Sequence, residues 1–123
     1  LEDAKRIQRP IIGLFDANAH LGSLESSAIG GQEAEKECVV GELLHQFVLD
    51  QSMFLPSTLG DVHECRSHTL LASNGKGAHR TDYIILPMGW RTTVRKSFDD
   101  IEIDLAAKRE DHSAVAVEIA ITF

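Results

Sequence analysis

Three short polar signals in this chain have the residue types of a hydrolytic centre: Asp16-Ala17-Asn18, Asp82, and Asp111-His112. Carboxylates offer hard oxygen ligands to Mg²⁺ or Mn²⁺ and can take a proton from water. Asparagine supplies neutral donors that orient a phosphate oxygen without adding charge. A histidine hydrogen-bonded to a carboxylate has its tautomer fixed and can donate toward a phosphate oxygen. Together these groups read as metal-assisted hydrolysis of a phosphate ester, a reaction in which water must be activated. Each signal taken alone has a plainer reading, because Asp and Asn also begin turns and an Asp-His pair can simply close a loop.

The elements that would position these groups are strands. Pro10-Ile11-Ile12-Gly13-Leu14-Phe15 is an apolar run of strand length without helical spacing, which predicts a buried strand. It delivers Asp16 at its C-terminal lip, and in an extended chain residues i and i+2 point the same way, so Asp16 and Asn18 should converge. Asp82 opens Thr81–Leu86, expected to return from a strand at Ser67–Ser73 across Asn74-Gly75-Lys76-Gly77 as an antiparallel hairpin. Asp111-His112 stands just before Ser113–Phe123, an apolar, β-branched strand. Three polar signals at three strand ends is the layout of a site built on a rigid sheet.

Around them, Val40, Leu43, Leu44, Phe47 and Val48 recur at the spacing of one helix face, predicting a helix that covers the sheet. Glu42, Gln46 and Asp50 take its other face, and His45 falls at the edge of the stripe, where it should be partly exposed. Leu1–Arg9 resembles the end of a helix closed before Pro10, and Leu21–Glu37 reads as a loop at the rim of the site. Met53-Phe54-Leu55 predicts a brief strand running into a turn. Thr92–Phe98 predicts another strand, followed by an acidic connector with Asp99, Asp100 and Asp104. Tyr83 and Trp90 suit core packing. The expectation is one domain over residues 1–123, α/β or α+β, with a sheet covered by helices.

With 43% apolar residues the chain can bury a core, yet no apolar run is long enough to cross a bilayer and no signal peptide is recognisable. That pattern predicts an intracellular protein, nuclear or cytoplasmic rather than secreted, with no membrane partner. Cys38 and Cys65 have no paired spacing and read as reduced thiols. The opening Leu1-Glu2-Asp3-Ala4-Lys5 reads as cut from something longer. A net charge of −7 argues against a simple electrostatic nucleic-acid binder. From Arg66 to Lys96, however, Arg66, Lys76, Arg80, Arg91, Arg95 and Lys96 face only Asp82. Arg66, Lys76 and Arg80 are therefore candidate contacts to a polyanionic substrate, the plain alternative being a solvated basic face. His20, His63, His68 and His79 receive no ligand role.

In this order and spacing, FDANAHLGS, RTDYIILP and EDHSAV resemble the C-terminal motifs of the endonuclease/exonuclease/phosphatase superfamily. The likeness is greatest to the apurinic-type endonuclease domains of non-LTR retrotransposons, and GELLHQFVLDQSMFLPST extends it over nearly the whole chain. It implies the C-terminal part of a four-layered, two-sheet sandwich flanked by helices. It also implies an Mg²⁺- or Mn²⁺-dependent phosphodiester hydrolase that nicks DNA, as part of a retroelement-like polyprotein. On that pattern Asp16 is the general base and a metal ligand, and Asn18 positions water and phosphate. His112 contacts the scissile phosphate, Asp82 orients its ring, and Asp111 lies in the metal or water shell. Two departures are Phe15, where the family has Gly before the aspartate, and Leu70, where it often has Trp. The resemblance further implies that an N-terminal half, with a metal-binding glutamate and another asparagine, belongs to the rest of the parent polypeptide. Two alternatives stand beside this reading: an inactive remnant or interaction domain that keeps the fold, and a hydrolase of small phosphate esters.

Overall fold

A computed structural model describes residues 9–64, 66–71, 77–100 and 112–121. The expected helical turns before Arg9, Cys65, Asn74-Gly75-Lys76 of the expected turn, and Asp104 and Asp111 lie outside the described residues.

In chain order the elements are β1 (Gly13–Asp16), α1 (Val39–Asp50), β2 (Met53–Phe54), a 3₁₀ turn (Pro56–Thr58), β3 (His63–Glu64) and β4 (Leu70–Leu71). Then follow β5 (Ala78–His79), β6 (Asp82–Pro87), a second 3₁₀ segment (Met88–Thr93), β7 (Val94–Asp100) and β8 (Ala114–Ile119). They form two three-stranded sheets, ordered β1-β6-β2 and β3-β7-β8, and a two-stranded β4-β5 ribbon. The fold is a mixed α+β arrangement of two small sheets with few helices among the described residues. None of those helices is long and apolar enough to cross a membrane.

The core gathers on β6 because it alone has a strand on each side in its sheet. Tyr83, Ile85 and Leu86 are buried there against Met53, Phe54, Leu55 and Val48. Leu21, Ala28 and Ile29 are fully buried as well, so the segment expected to be a rim loop also supplies core. Tyr83 packs as expected, and Trp90 lies half-buried against the same cluster. The expected strands at 53–55 and 113–123 form as β2 and β8, and β7 begins at Val94 after the 3₁₀ segment. Asp99 and Asp100 are part of β7 rather than of a connector.

Three local expectations are corrected. First, among the described residues β1 pairs only with β6, at the edge of its sheet, and Leu14 is 74% and Phe15 44% exposed, so the apolar run is not buried. Second, the hairpin closes on β5, with Leu70↔His79 and Leu71↔Ala78, and not on the 81–86 strand. The returning chain changes sheet at Arg80-Thr81, where the Thr69 hydroxyl, rather than a strand carbonyl, accepts both the Thr81 and Asp82 N–H groups. Third, α1 keeps only part of its expected face inward: Leu44, Phe47 and Val48 pack on the core, but Val40 and Leu43 are exposed and Gly41 and His45 are buried in their place. A Cβ on Gly41 would collide with the His20 carbonyl, so only glycine allows this approach. Pointing His45 rather than Leu43 inward forgoes about 2 kcal/mol of apolar burial. It is tolerated because the His45 Nδ1 meets Glu37 Oε1 at 2.7 Å and its Nε2 meets Ser26 Oγ at 2.8 Å.

Cys38 caps α1. Its Sγ accepts from His20 N–H and Gly41 N–H, both at 3.3 Å. The His20 bond above all, with that of Gly41, outweighs desolvation and holds the thiol below its ordinary range. His63 is the converse case, its imidazole pulled down chiefly by burial, with Ser97 Oγ 2.8 Å from Nδ1 and the Arg66 carbonyl 3.0 Å from Nε2.

Arg80 is 1% exposed and binds the fold together. One terminal nitrogen donates to Gln32 O, Ser57 O and Ser67 Oγ, and the other to Leu21 O. Replacing Arg80 with Met strands those acceptors in the interior, and a loss on the order of 3 kcal/mol or more is expected in urea unfolding. Tyr83 adds a second probe. Its hydroxyl lies 2.8 Å from Ala19 O and 3.0 Å from Arg80 O, and burial pushes its pKa up to about 12. The folded state therefore binds the phenolic proton more tightly than the unfolded chain, with its ordinary value near 10. This contribution, about 3 kcal/mol for two units, is fully present below pH 10 and lost as pH rises toward 12. Because the chain has a single tyrosine, phenolate absorbance near 295 nm should show this late midpoint directly.

Candidate active site

The β1–β6 register sets Asp16 directly opposite Asp82. Like charges in that cross-strand position destabilise a sheet, so the pairing has no explanation in strand packing. His112 reaches the same point from the third segment. It forms an isolated antiparallel bridge with Leu70, and Ser113 N–H donates to Thr69 O at 2.7 Å. The result is that one carboxylate oxygen of Asp16, one of Asp82 and one ring nitrogen of His112 lie within 4.8 Å of one another. They line a groove of about 480 Å³, walled by Leu14, Phe15 and Ile84 and by Ala114 and Val115.

Asp82 is the organising member. Its Oδ2 accepts from Thr69 Oγ1 at 2.7 Å and from Thr81 Oγ1 at 3.1 Å, and stands 2.8 Å from His112 Nδ1. An ionised carboxylate only accepts, so the ring proton belongs on Nδ1, and any proton the ring exchanges in chemistry passes through Nε2. Asp16, by contrast, is exposed at the lip. An anchored carboxylate, an oriented imidazole and a water-facing carboxylate can together handle protons beside an anionic, cation-stabilised substrate.

The remaining expected residues fall elsewhere. Asn18 has φ 50°, a left-handed conformation that asparagine adopts more readily than most residues. The chain is thus not extended past Ala17, the i, i+2 argument fails, and Asn18 is exposed and absent from the groove lining. Arg80, expected to touch substrate, is enclosed with its guanidinium on protein acceptors, so its role is structural. Arg66 is exposed, while Lys76 and Asp111 lie outside the described residues. The basic segment is partly neutralised: Arg91 pairs with Asp61 at 2.9 Å and Lys96 stands 3.8 Å from Glu118. That Arg91 contact, the leading cause, also holds the Asp61 carboxyl below its ordinary range.

Sequence reasoning missed Thr69 and Thr81, whose hydroxyls orient Asp82. Thr81 had a local signal, standing next to Asp82; Thr69, thirteen residues away, had none. It also missed a second cluster. Glu35 Oε2 lies 2.6 Å from His20 Nδ1 and 2.8 Å from His79 Nδ1, and its Oε1 accepts from Arg80 N–H at 2.8 Å. Burial pushes the Glu35 carboxyl up, but the Arg80, His79 and His20 bonds together outweigh it and hold the group below its usual range.

Neither a protein-family model, nor a curated protein, nor a solved structure matches the chain.

Replacing Thr69 with the isosteric Val deprives Asp82 of a donor and the Thr81 and Asp82 amides of their acceptor. The expected cost is about 1–3 kcal/mol in urea unfolding, with the His112 ring resonances broadened or shifted as its anchor loosens.

Proposed function

We propose that the chain carries the catalytic carboxylate–histidine part of a divalent-metal-dependent phosphodiester hydrolase, a nuclease that nicks DNA. The observation that carries this reading is the convergence of Asp16, Asp82 and His112 from three separate segments on one groove. The motif resemblance points the same way, and in this reading the two small sheets belong to the two-sheet sandwich of such nucleases, as in retroelement polyproteins.

The donor set fits Mg²⁺ or Mn²⁺. Two carboxylates held face to face favour a cation between or beside them, and Mg²⁺ commonly uses one or two carboxylates together with substrate phosphate. Asp16 would hold the ion, with Asp111 in its metal or water shell by the resemblance. Bound there, the ion supplies charge neutralisation at the phosphoryl oxygens. Asp16, open to solvent, takes a proton from the attacking water. Asp82, locked by Thr69 and Thr81, holds the His112 ring so that Nε2 donates toward a phosphate oxygen. Asn18, outside the groove, has no part in these steps.

One observation favours a smaller substrate than DNA. Burial of Arg80 and pairing of Arg91 and Lys96 leave less open positive charge along 66–96 than the sequence offers. Hydrolysis of small phosphate esters by the same groups is therefore the second reading. The test uses the polypeptide at its full encoded length, with supercoiled plasmid and with small phosphate esters, in Mg²⁺ or Mn²⁺. Nicking that falls by a factor on the order of 10²–10⁴ in Asp16→Ala and in His112→Ala is the expected result. Full activity in Asp16→Ala removes the assignment; turnover of small esters without nicking selects the second reading.

A further inference from the structure

We propose that His20, Glu35 and His79 form a separate metal site, selective for a borderline transition ion of the Zn²⁺ class. Two imidazoles and a carboxylate are a nitrogen-rich set that suits Zn²⁺ and disfavours Mg²⁺ or Ca²⁺, which take oxygen ligands. In this chain the three residues come from three segments, and both Nδ1 atoms point at the same oxygen, Glu35 Oε2. The three donor atoms lie within 4.8 Å of one another, and the His20 and His79 rings stand edge to face with centroids 4.9 Å apart. Four-coordinate Zn²⁺ with bonds near 2.0–2.1 Å needs neighbouring ligand atoms about 3.3 Å apart. The present contacts of 2.6 and 2.8 Å need to open by about 0.5–0.7 Å, which side-chain rotation provides. On binding, the ion replaces the ring protons at Nδ1, which move to Nε2 or leave to solvent, so the ligands coordinate as neutral imidazoles.

The backbone behind each ligand is already held. Glu35 pairs with Gly22 in a parallel bridge, its N–H donating to Leu21 O at 3.0 Å, and Gly22 adopts φ 115° with Ala34 so close that a Cβ would be crowded. Arg80 N–H fixes the other carboxylate oxygen, the kind of outer contact that orients metal ligands. His79 sits in β5 opposite Leu70, and His20 N–H is tied to Cys38 Sγ. The side chains of His20, Glu35 and His79 are 32%, 20% and 38% exposed, which leaves an ion a way in and room for water as a further ligand. His20 lies four residues after Asp16 and His79 three before Asp82. An ion here therefore fastens together the two segments that carry the paired aspartates, without belonging to their groove.

The test titrates the chain with Zn²⁺ and follows the histidine ring nitrogens by long-range ¹H–¹⁵N spectra, alongside thermal unfolding. Expected are one equivalent bound, shifts at the His20 and His79 rings with His45 and His63 unchanged, and a Tm that rises with Zn²⁺. Excess Mg²⁺ should not displace the ion. Loss of about a hundredfold or more in affinity is expected for His79→Ala and for Glu35→Gln, with binding retained in Asp16→Asn. Absence of binding overturns the proposal, as does a Zn²⁺ response confined to His112 and abolished by Asp16→Asn. Because the ring spectra are read on the unaltered chain, they decide the matter even where a variant does not fold.

Discussion

The structure depends on one buried cation. The Arg80 guanidinium is withdrawn from water, a state that costs several kcal/mol unless its donors are met. Its terminal nitrogens are met by carbonyls and a hydroxyl from the 21–32 segment, the Pro56–Thr58 turn and Ser67. Its own amide and carbonyl reach Glu35 and Tyr83. Four stretches with little regular structure of their own, together with β6, thus share one centre. A planar fork can satisfy acceptors in several directions at once, which neither a lysine nor an apolar residue can do. This explains how a chain with such short strands places Leu21, Ala28 and Ile29 in the interior.

The same anchor determines where the candidate site stands. Arg80 lies between β5 and β6, at the point where the chain leaves the β4-β5 ribbon for the β1-β6-β2 sheet. Fixing it fixes His79 on one side and Thr81-Asp82 on the other. Thr69 completes the junction, accepting two backbone amides while donating to Asp82. Asp82 is consequently oriented by contacts that also hold the strand junction together. Loosening the junction and disorienting His112 are one event.

Periodic signals were legible and tertiary ones were not. The strands at β1, β2, β6 and β8 and the helix α1 could be read because each carries an apolar run or repeat of its own length. β3 could not: His63-Glu64 has no apolar pattern and is held by parallel pairing with Ser97-Phe98. One edge of the α1 stripe, Val40 and Leu43, was misjudged because hydrophobicity was taken as the guide, whereas Gly41 permits the closest approach and His45 finds two partners. Arg80 and Asn18 failed for related reasons. A cation's burial depends on acceptors scattered from Leu21 to Ser67, and a left-handed turn at Asn18 invalidates a rule that assumes extended chain. Asp16, Asp82 and His112 were expected together and do converge, because strand ends are local features that lie together whenever the strands do.

The two titratable clusters differ in a way that separates their chemistry. In one, the anchored carboxylate of Asp82 is saturated at Oδ2 by two hydroxyls and an imidazole, and the second carboxylate, Asp16, is left in water. That is an arrangement with one fixed and one solvent-exposed carboxylate, suited to a substrate that arrives and leaves. In the other, every ligand is tied from behind: Glu35 by Arg80 and by pairing with Gly22, His79 by β5, His20 by Cys38. A backbone held behind each ligand favours a resident ion over an exchanging substrate, since only side-chain rotation remains to be ordered on binding. Both clusters tie the end of β1 to the start of β6, one through the opposed carboxylates of the strand ends and the other through a carboxylate shared by His20 and His79 just outside them. The repulsion of Asp16 and Asp82 across the sheet is thereby opposed a few residues away by Glu35 drawing His20 and His79 together.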